Sequence, residues 1–289
     1  MAPPVFETHT CRALDYTFRV STTDAGLCAV LNDVLADMVV EVGHSPESHV
    51  HLVQVLPSTH TDHVRVMIDS AEEFGTLHTG VLLSHLLIEI NQRAVGATPQ
   101  HLALHAGTVR QPPAAGGRAV IFPGQSHSGK TTLISQLALD GWGFIADEVS
   151  AVDTTARSVV PYGKPVALRP ASVTLLKPSI ERLRSSGSRF ELDERFVPPR
   201  DLGDVVCSPT KLGAVVFPTF DPTLTPAMHQ VAPADALTTL IHSTLHPLGT
   251  TRSAFVFLAE LVREIPCFSM TYQHFEQTKP FLCSLDYAQ

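Results

Sequence analysis

The residues best placed by type and spacing to do chemistry are Gly124-Gln125-Ser126-His127-Ser128-Gly129-Lys130-Thr131. A glycine, four variable positions and then Gly-Lys-Thr is the phosphate-loop pattern. In such a loop the backbone N–H groups and the N-terminus of the following helix face a phosphate chain. Lys130 then reaches the β- and γ-phosphates, and the Thr131 hydroxyl ligates Mg²⁺. Thr132, in the first helical turn, completes the nucleotide-binding set Gly124 to Thr132. His127 occupies a variable position and is read as solvent-facing, with no catalytic part. A second group follows at Asp147-Glu148. One carboxylate can hold Mg²⁺ directly or through water, while another can accept the proton of an attacking hydroxyl. The plainer alternative is a solvated acidic pair at a strand end; the phosphate loop upstream favours the chemical reading.

Three elements must position these groups. Arg118 to Pro123 is apolar enough for a buried strand leading into the loop, and Thr132 to Leu139 has helical spacing that stops at Asp140-Gly141. The stretch from Trp142 holds an apolar strand ending in the two acids, whose adjacent side chains would point to opposite faces. Leu102 to Val109 is a further strand, joined through the turn at 111–117 to the strand entering the loop, so that the hairpin Leu102–Phe122 ends in the nucleotide site. His105 lies on that hairpin; a strand histidine is by default a core residue, and closeness to the loop raises its chance of function.

The 289 residues allow one large core or two small ones. The composition, 44% hydrophobic and 17% charged, is that of a soluble globular chain. A net charge of −8 without a basic run argues against nucleic acid and anionic membrane as partners. The absence of a long apolar stretch or a signal layout predicts a cytoplasmic protein. The five cysteines form no CxxC pair and are expected to be reduced and mostly buried. Histidines 44, 49, 51, 60 and 63 invite a metal reading, but no cysteine or close carboxylate completes a ligand set.

Residues 1–95 read as a small N-terminal α/β domain for substrate or partner recognition, and 96–289 as the catalytic domain. In the first, strands are expected at Ala13–Val20, Val50–Leu56 and Val64–Ile68, with helices over Ala25–Val42 and Gly80–Ala94. In the second, Lys164 and Arg169 lie on a Pro-bounded extended stretch, and 178–194 reads as a mobile charged segment that closes on substrate. Lys211–Pro218 and Ile265–Tyr272 are expected strands, with helices over Ala234–Leu245, Ser253–Val262 and Gln273–Cys283.

Taken together, Leu104-His105-Ala106, the loop Gly124 to Thr131 and Gly143-Phe144-Ile145-Ala146-Asp147-Glu148 resemble the HPr kinase/phosphorylase family. The likeness is closest to its stand-alone bacterial members, including those that phosphorylate peptides in lasso-peptide gene clusters. It runs from about residue 80 to the end and is strong over 104–148. It implies an α/β fold, with a phosphoenolpyruvate carboxykinase-like P-loop domain built on a mixed sheet. By this resemblance Lys130 contacts phosphate, Thr131 ligates Mg²⁺, His105 is the active-site histidine, and the proton acceptor falls on Glu148; the other acid of the pair, Asp147, is then expected on the metal side. Glu148 stands where the family has aspartate, so which acid is the base stays open. The family's later metal-binding glutamate and signature loop have no recognisable counterpart, so the resemblance does not extend to phosphorolysis or to HPr as substrate.

The expected activity is a kinase using ATP, or another nucleoside triphosphate, with Mg²⁺. The acceptor is a hydroxyl, foremost a serine of a peptide or protein, with a small-molecule alcohol as the variant. A homo-oligomer is compatible, since the family's HPr enzymes are hexamers. The alternatives are a nucleotide-binding regulatory module with little turnover and, more weakly, carboxykinase-type metabolism.

Overall fold

The computed structural model describes residues 4–40, 47–54, 63–69, 71–124, 128–176, 195–245 and 251–285. Contacts divide the chain into two units, Met1–Ala97 with Lys164–Asp201, and Thr98–Gly163 with Leu202–Gln289. Where the sequence suggested a continuous domain over 96–289, Lys164–Asp201 therefore groups with the N-terminal residues.

The first unit opens with strands β1 (Phe6–Glu7), β2 (Cys11–Ala13) and β3 (Tyr16–Thr22), followed by helix α1 (Ala25–Val34). One strand was expected over Ala13–Val20, but Leu14 adopts a positive φ of 55° and the chain turns there into the antiparallel β2–β3 pair. The turn contains no glycine, and the apolar alternation continues through it, so the pattern conceals the break. Asp24 caps α1 by accepting from the Gly26 and Leu27 amides at 2.7 and 3.1 Å. Leu27, Leu31 and Val34 form the buried stripe, and the helix stops at Val34 rather than running to Val42. Strands β4 (Ser48–Gln54), β5 (His63–Ile68) and β6 (Ala71–His78) follow, then helix α2 (Thr79–Ala97). The sheet order is β1-β3-β4-β5-β6, with β2 on β3. Helix α2 packs on this sheet through a stripe that includes Leu82, Leu86 and Ile90.

The second unit begins with β7 (His101–Leu104), β8 (Ala106–Arg110) and β9 (Ala119–Pro123). After Gly129 come α3 (Lys130–Leu139), β10 (Gly143–Ala146), β11 (Ser150–Asp153) and β12 (Ser158–Val160). The segment belonging to the first unit contributes β13 (Val166–Leu168), α4 (Pro170–Leu176) and β14 (Arg195–Val197); residues 178–194, read as mobile from sequence, lie outside the described residues. The second unit resumes with β15 (Thr210–Phe220), β16 (Ala227–Gln230), α5 (Pro233–His242), α6 (Arg252–Glu264), β17 (Cys267–Tyr272) and α7 (Thr278–Cys283).

Its mixed sheet runs β10-β8-β9-β15-β12-β11-β7, with β17 also on β15 and β16 on β17. Strands β9, β15 and β17 are parallel, while β8 runs antiparallel to β9 and β10. All five residues of β9 are buried, as expected of a strand with sheet on both sides. Among the described residues no helix is long and apolar enough to cross a membrane.

The strand expected over Leu102–Val109 is two strands. Leu102–Val109 breaks at His105 into β7, which pairs with β11, and β8, which pairs with β9 and β10. The strand from Trp142 ends at the acids, as expected: β10 pairs with β8 and stops before Asp147, and after Val149 the chain resumes as β11, which pairs with β7 and β12. Both neighbours thus change partners at one level of the fold, and His105, Asp147 and Glu148 occupy the breaks.

Candidate functional site

Strand β9 delivers the chain to Gly124, and α3 begins at Lys130 with Gly129 as its N-cap. Gly129 has a φ of 84°, a conformation open to glycine and strained for other residues. Gln125, Ser126 and His127 lie outside the described residues. Gly124, Ser128, Gly129, Lys130, Thr131 and Thr132 frame the strand-loop-helix junction expected of a phosphate loop. The Ser128 hydroxyl is buried there without a hydrogen-bond partner among the described residues. A buried hydroxyl left unmatched is costly, and in this place a phosphate oxygen would satisfy it.

Lys130 is only 6% exposed. Its ammonium donates to the Gly124 carbonyl at 2.5 Å and stands 3.5 Å from His105 Nε2. Burial pushes the Lys130 amine below its usual pKa, against an upward pull from Asp147 and Glu148. A desolvated cation at a loop mouth acts strongly on phosphate charge, because little water screens it.

The Thr131 hydroxyl donates to Asp147 Oδ1 at 3.3 Å, joining the first turn of α3 to the end of β10. Asp147 is 3% exposed. Close approach of β8 to α3 makes this arrangement possible: a Cβ on Gly107 would lie 2.5 Å from Ile134 Cγ1 and 3.5 Å from Asp147 Oδ1. Below the site, Thr108 and Ser150 hydroxyls pair at 2.6 Å, and Ser150 donates to the Ala106 carbonyl at 3.0 Å. These bonds tie the two broken strands together beside the breaks.

Glu148 differs from the sequence expectation. It is not a strand residue facing away from Asp147; its φ is 72°, and the Val149 amide donates to the Asp147 carbonyl at 2.9 Å. The three residues form a γ-turn with a positive central φ, a rare and strained conformation for a side-chain-bearing residue. The turn gives Asp147 and Glu148 different surroundings, Asp147 buried and Glu148 partly exposed. The strand periodicity could not reveal this, since the turn contains neither glycine nor proline.

Tyr162 was not singled out from sequence as a site residue. It is buried, its amide donates to the Ile145 carbonyl at 2.8 Å, and its phenol is pushed far up, first by burial and then by the charge of Glu148. Lys164 is buried and Arg169 largely exposed; both belong to the first unit. Of the histidines weighed for metal, His44 and His60 lie outside the described residues. Among the described residues no group of three or more His, Cys, Asp or Glu side chains could hold a metal ion. The Thr131–Asp147 oxygen pair fits a different demand. Mg²⁺ takes few protein ligands and completes its shell with water and substrate phosphates.

No protein-family model matches the chain, and no curated protein matches it in sequence. Among solved structures, the chain is similar to the Hpr(Ser) kinase/phosphatase from Coxiella burnetii, at 12% identity and a TM-score of 0.30, over 63% of this chain and 92% of that one.

Proposed function

We propose that this protein is an ATP- and Mg²⁺-dependent kinase that transfers the γ-phosphoryl to a hydroxyl, foremost a serine of a peptide or protein. The observation that carries this reading is the convergence on one loop of a buried ammonium, a neighbouring imidazole and a hydroxyl–carboxylate pair, at Lys130, His105, Thr131 and Asp147. The sequence resemblance described above points to the same reaction class.

The acceptor oxygen attacks the γ-phosphorus, and the bond from that phosphorus to the β–γ bridging oxygen breaks. ADP leaves with the electron pair. Lys130 and the loop amides stabilise the charge that develops on the phosphoryl and bridging oxygens. The acceptor proton passes to Glu148, because the Asp147 carboxylate is engaged with Thr131. Bound Mg²⁺ supplies neutralisation of the phosphate charge, and Thr131 and Asp147 are the residues that would hold it. His105 flanks the Lys130 ammonium and helps define its position at the loop mouth.

The test is incubation with ATP, Mg²⁺ and a library of Ser-, Thr- and Tyr-containing peptides, read by mass spectrometry for phosphopeptides. Mg²⁺-dependent phosphoserine that disappears in Lys130→Ala supports the proposal. ATP binding without any phosphorylated peptide would favour a regulatory nucleotide-binding module, or an alcohol acceptor outside the library. Small-alcohol phosphorylation would separate those two.

A further inference from the structure

The phosphate loop has two flanks. Sheet order places β8 and β10 on one side of β9, and β15 with β17 on the other. His105, just before β8, and the acid turn, just after β10, lie on the first flank. Under the kinase reading, the γ-phosphoryl must face those groups. The nucleoside end of the same ligand therefore leaves toward the second flank.

That flank carries an aromatic pair. Strands β15 and β17 run parallel to β9, so they end at the sheet edge where the phosphate loop begins. Val215 stands beside Ile121, and Phe220 opposite Tyr272. At about 3.3 Å per residue, Phe220 extends past the end of β9 and alongside the loop. The two rings pack at 5.6 Å between centroids, tilted by 60°. Both residues lie close to Gly129: a Cβ there would come within 3.1 Å of the Tyr272 hydroxyl and 3.4 Å of Phe220 Cβ. Tyr272 is 5% exposed and Phe220 49%, so one ring is held in the fold and the other is open. The turn beyond Phe220 is fixed, with the Asp221 amide donating to the Tyr272 carbonyl at 3.1 Å and Gln273 Nε2 to the Pro222 carbonyl at 3.2 Å.

We infer that Phe220 is the platform on which the base of the bound nucleoside triphosphate stacks, with Tyr272 supporting its ring from the core side. The inference rests on the nucleotide-binding reading and adds to it a binding residue and a direction for the ligand across the sheet edge. Stacking uses the π-face common to all bases, so Phe220 contributes affinity for the nucleoside and none for the polyphosphate.

That separation supplies the test, which is calorimetric titration of Mg²⁺-ATP and Mg²⁺-tripolyphosphate into wild type, Phe220→Ala and Phe220→Tyr. Phe220→Ala is expected to bind ATP about tenfold more weakly, within the range for loss of a base–aromatic stack, and to bind tripolyphosphate as wild type does. Phe220→Tyr keeps the ring and is expected to retain wild-type affinity for both. Unchanged ATP affinity in Phe220→Ala, equal losses for both ligands, or a Phe220→Tyr as weak as Phe220→Ala would overturn the inference and leave the phosphate-loop reading standing. Wild type that binds neither ligand would overturn both.

Discussion

Thr131 and Asp147 meet across the junction of α3 and β10, the hydroxyl donating to Oδ1 at 3.3 Å. This contact gives the two adjacent acids different surroundings, which the proposed mechanism reads as different tasks. Asp147 is buried against the helix that starts at Lys130, whereas Glu148 lies partly exposed at the centre of a γ-turn.

The first prediction separates those tasks. Glu148→Gln should lower phosphoryl transfer by ~10²–10⁴-fold, the usual cost of losing a general base, and added Mg²⁺ should not rescue it. Asp147→Asn should raise the Mg²⁺ requirement and recover part of its rate at high Mg²⁺. Mg²⁺ titrations of turnover in both variants decide the matter; the reverse pattern exchanges the roles, and wild-type rates in both would remove the acid pair from the mechanism.

Lys130 carries a second prediction, on stability. Burial holds its folded-state pKa below the ordinary value of 10.5, so between the two values the unfolded chain binds more protons. The contribution of this group to stability therefore rises with pH through that alkaline window, and its penalty is full at neutral pH. Lys130→Met should abolish ATP binding yet raise the thermal midpoint at pH 7, with the gain shrinking as pH approaches 10.5. A midpoint lowered at pH 7 would mean that its bond to Gly124 outweighs the burial of charge.

The γ-turn gives a third prediction. At a φ of 72° glycine is unstrained, so Glu148→Gly should leave the unfolding free energy within about 1 kcal/mol of wild type or raise it. Glu148→Val, with branching at Cβ, should lose more than about 1 kcal/mol. Both should lack transfer activity. Chemical denaturation midpoints test the pair, and equal destabilisation by glycine and valine would argue against the turn.

A fourth concerns the approach of β8 to α3. Gly107→Ala places a methyl 2.5 Å from Ile134 Cγ1, so it should destabilise the protein by roughly 1–3 kcal/mol. In an Ile134→Ala background the same substitution should cost clearly less. Additive losses in that double-mutant cycle would locate the strain elsewhere.

Much of the junction between β9 and α3 was legible in sequence because its signals are local. Buried strand, glycine loop and helix follow one another between Ala119 and Leu139, and each is marked by nearby residues. The second acid group and His105 were legible as residues but not as geometry. The apolar run through 102–109 reads as a single strand, because a change of pairing partner leaves no mark on hydrophobic alternation. The positive φ at Leu14 and Glu148 was hidden for a related reason: neither position carries the glycine or asparagine that ordinarily advertises it. Strand β6 went unread because Ala71–His78 lacks a clear apolar period. What the sequence determined by itself was the strand, loop and helix order around Gly124 to Thr131 and the acidic pair that follows it. The tertiary structure alone decided that His105 stands beside Lys130, that Asp147 meets Thr131, and that Phe220 and Tyr272 flank Gly129. Those neighbours come from strands far apart in the chain, and only sheet order and register bring them to one edge.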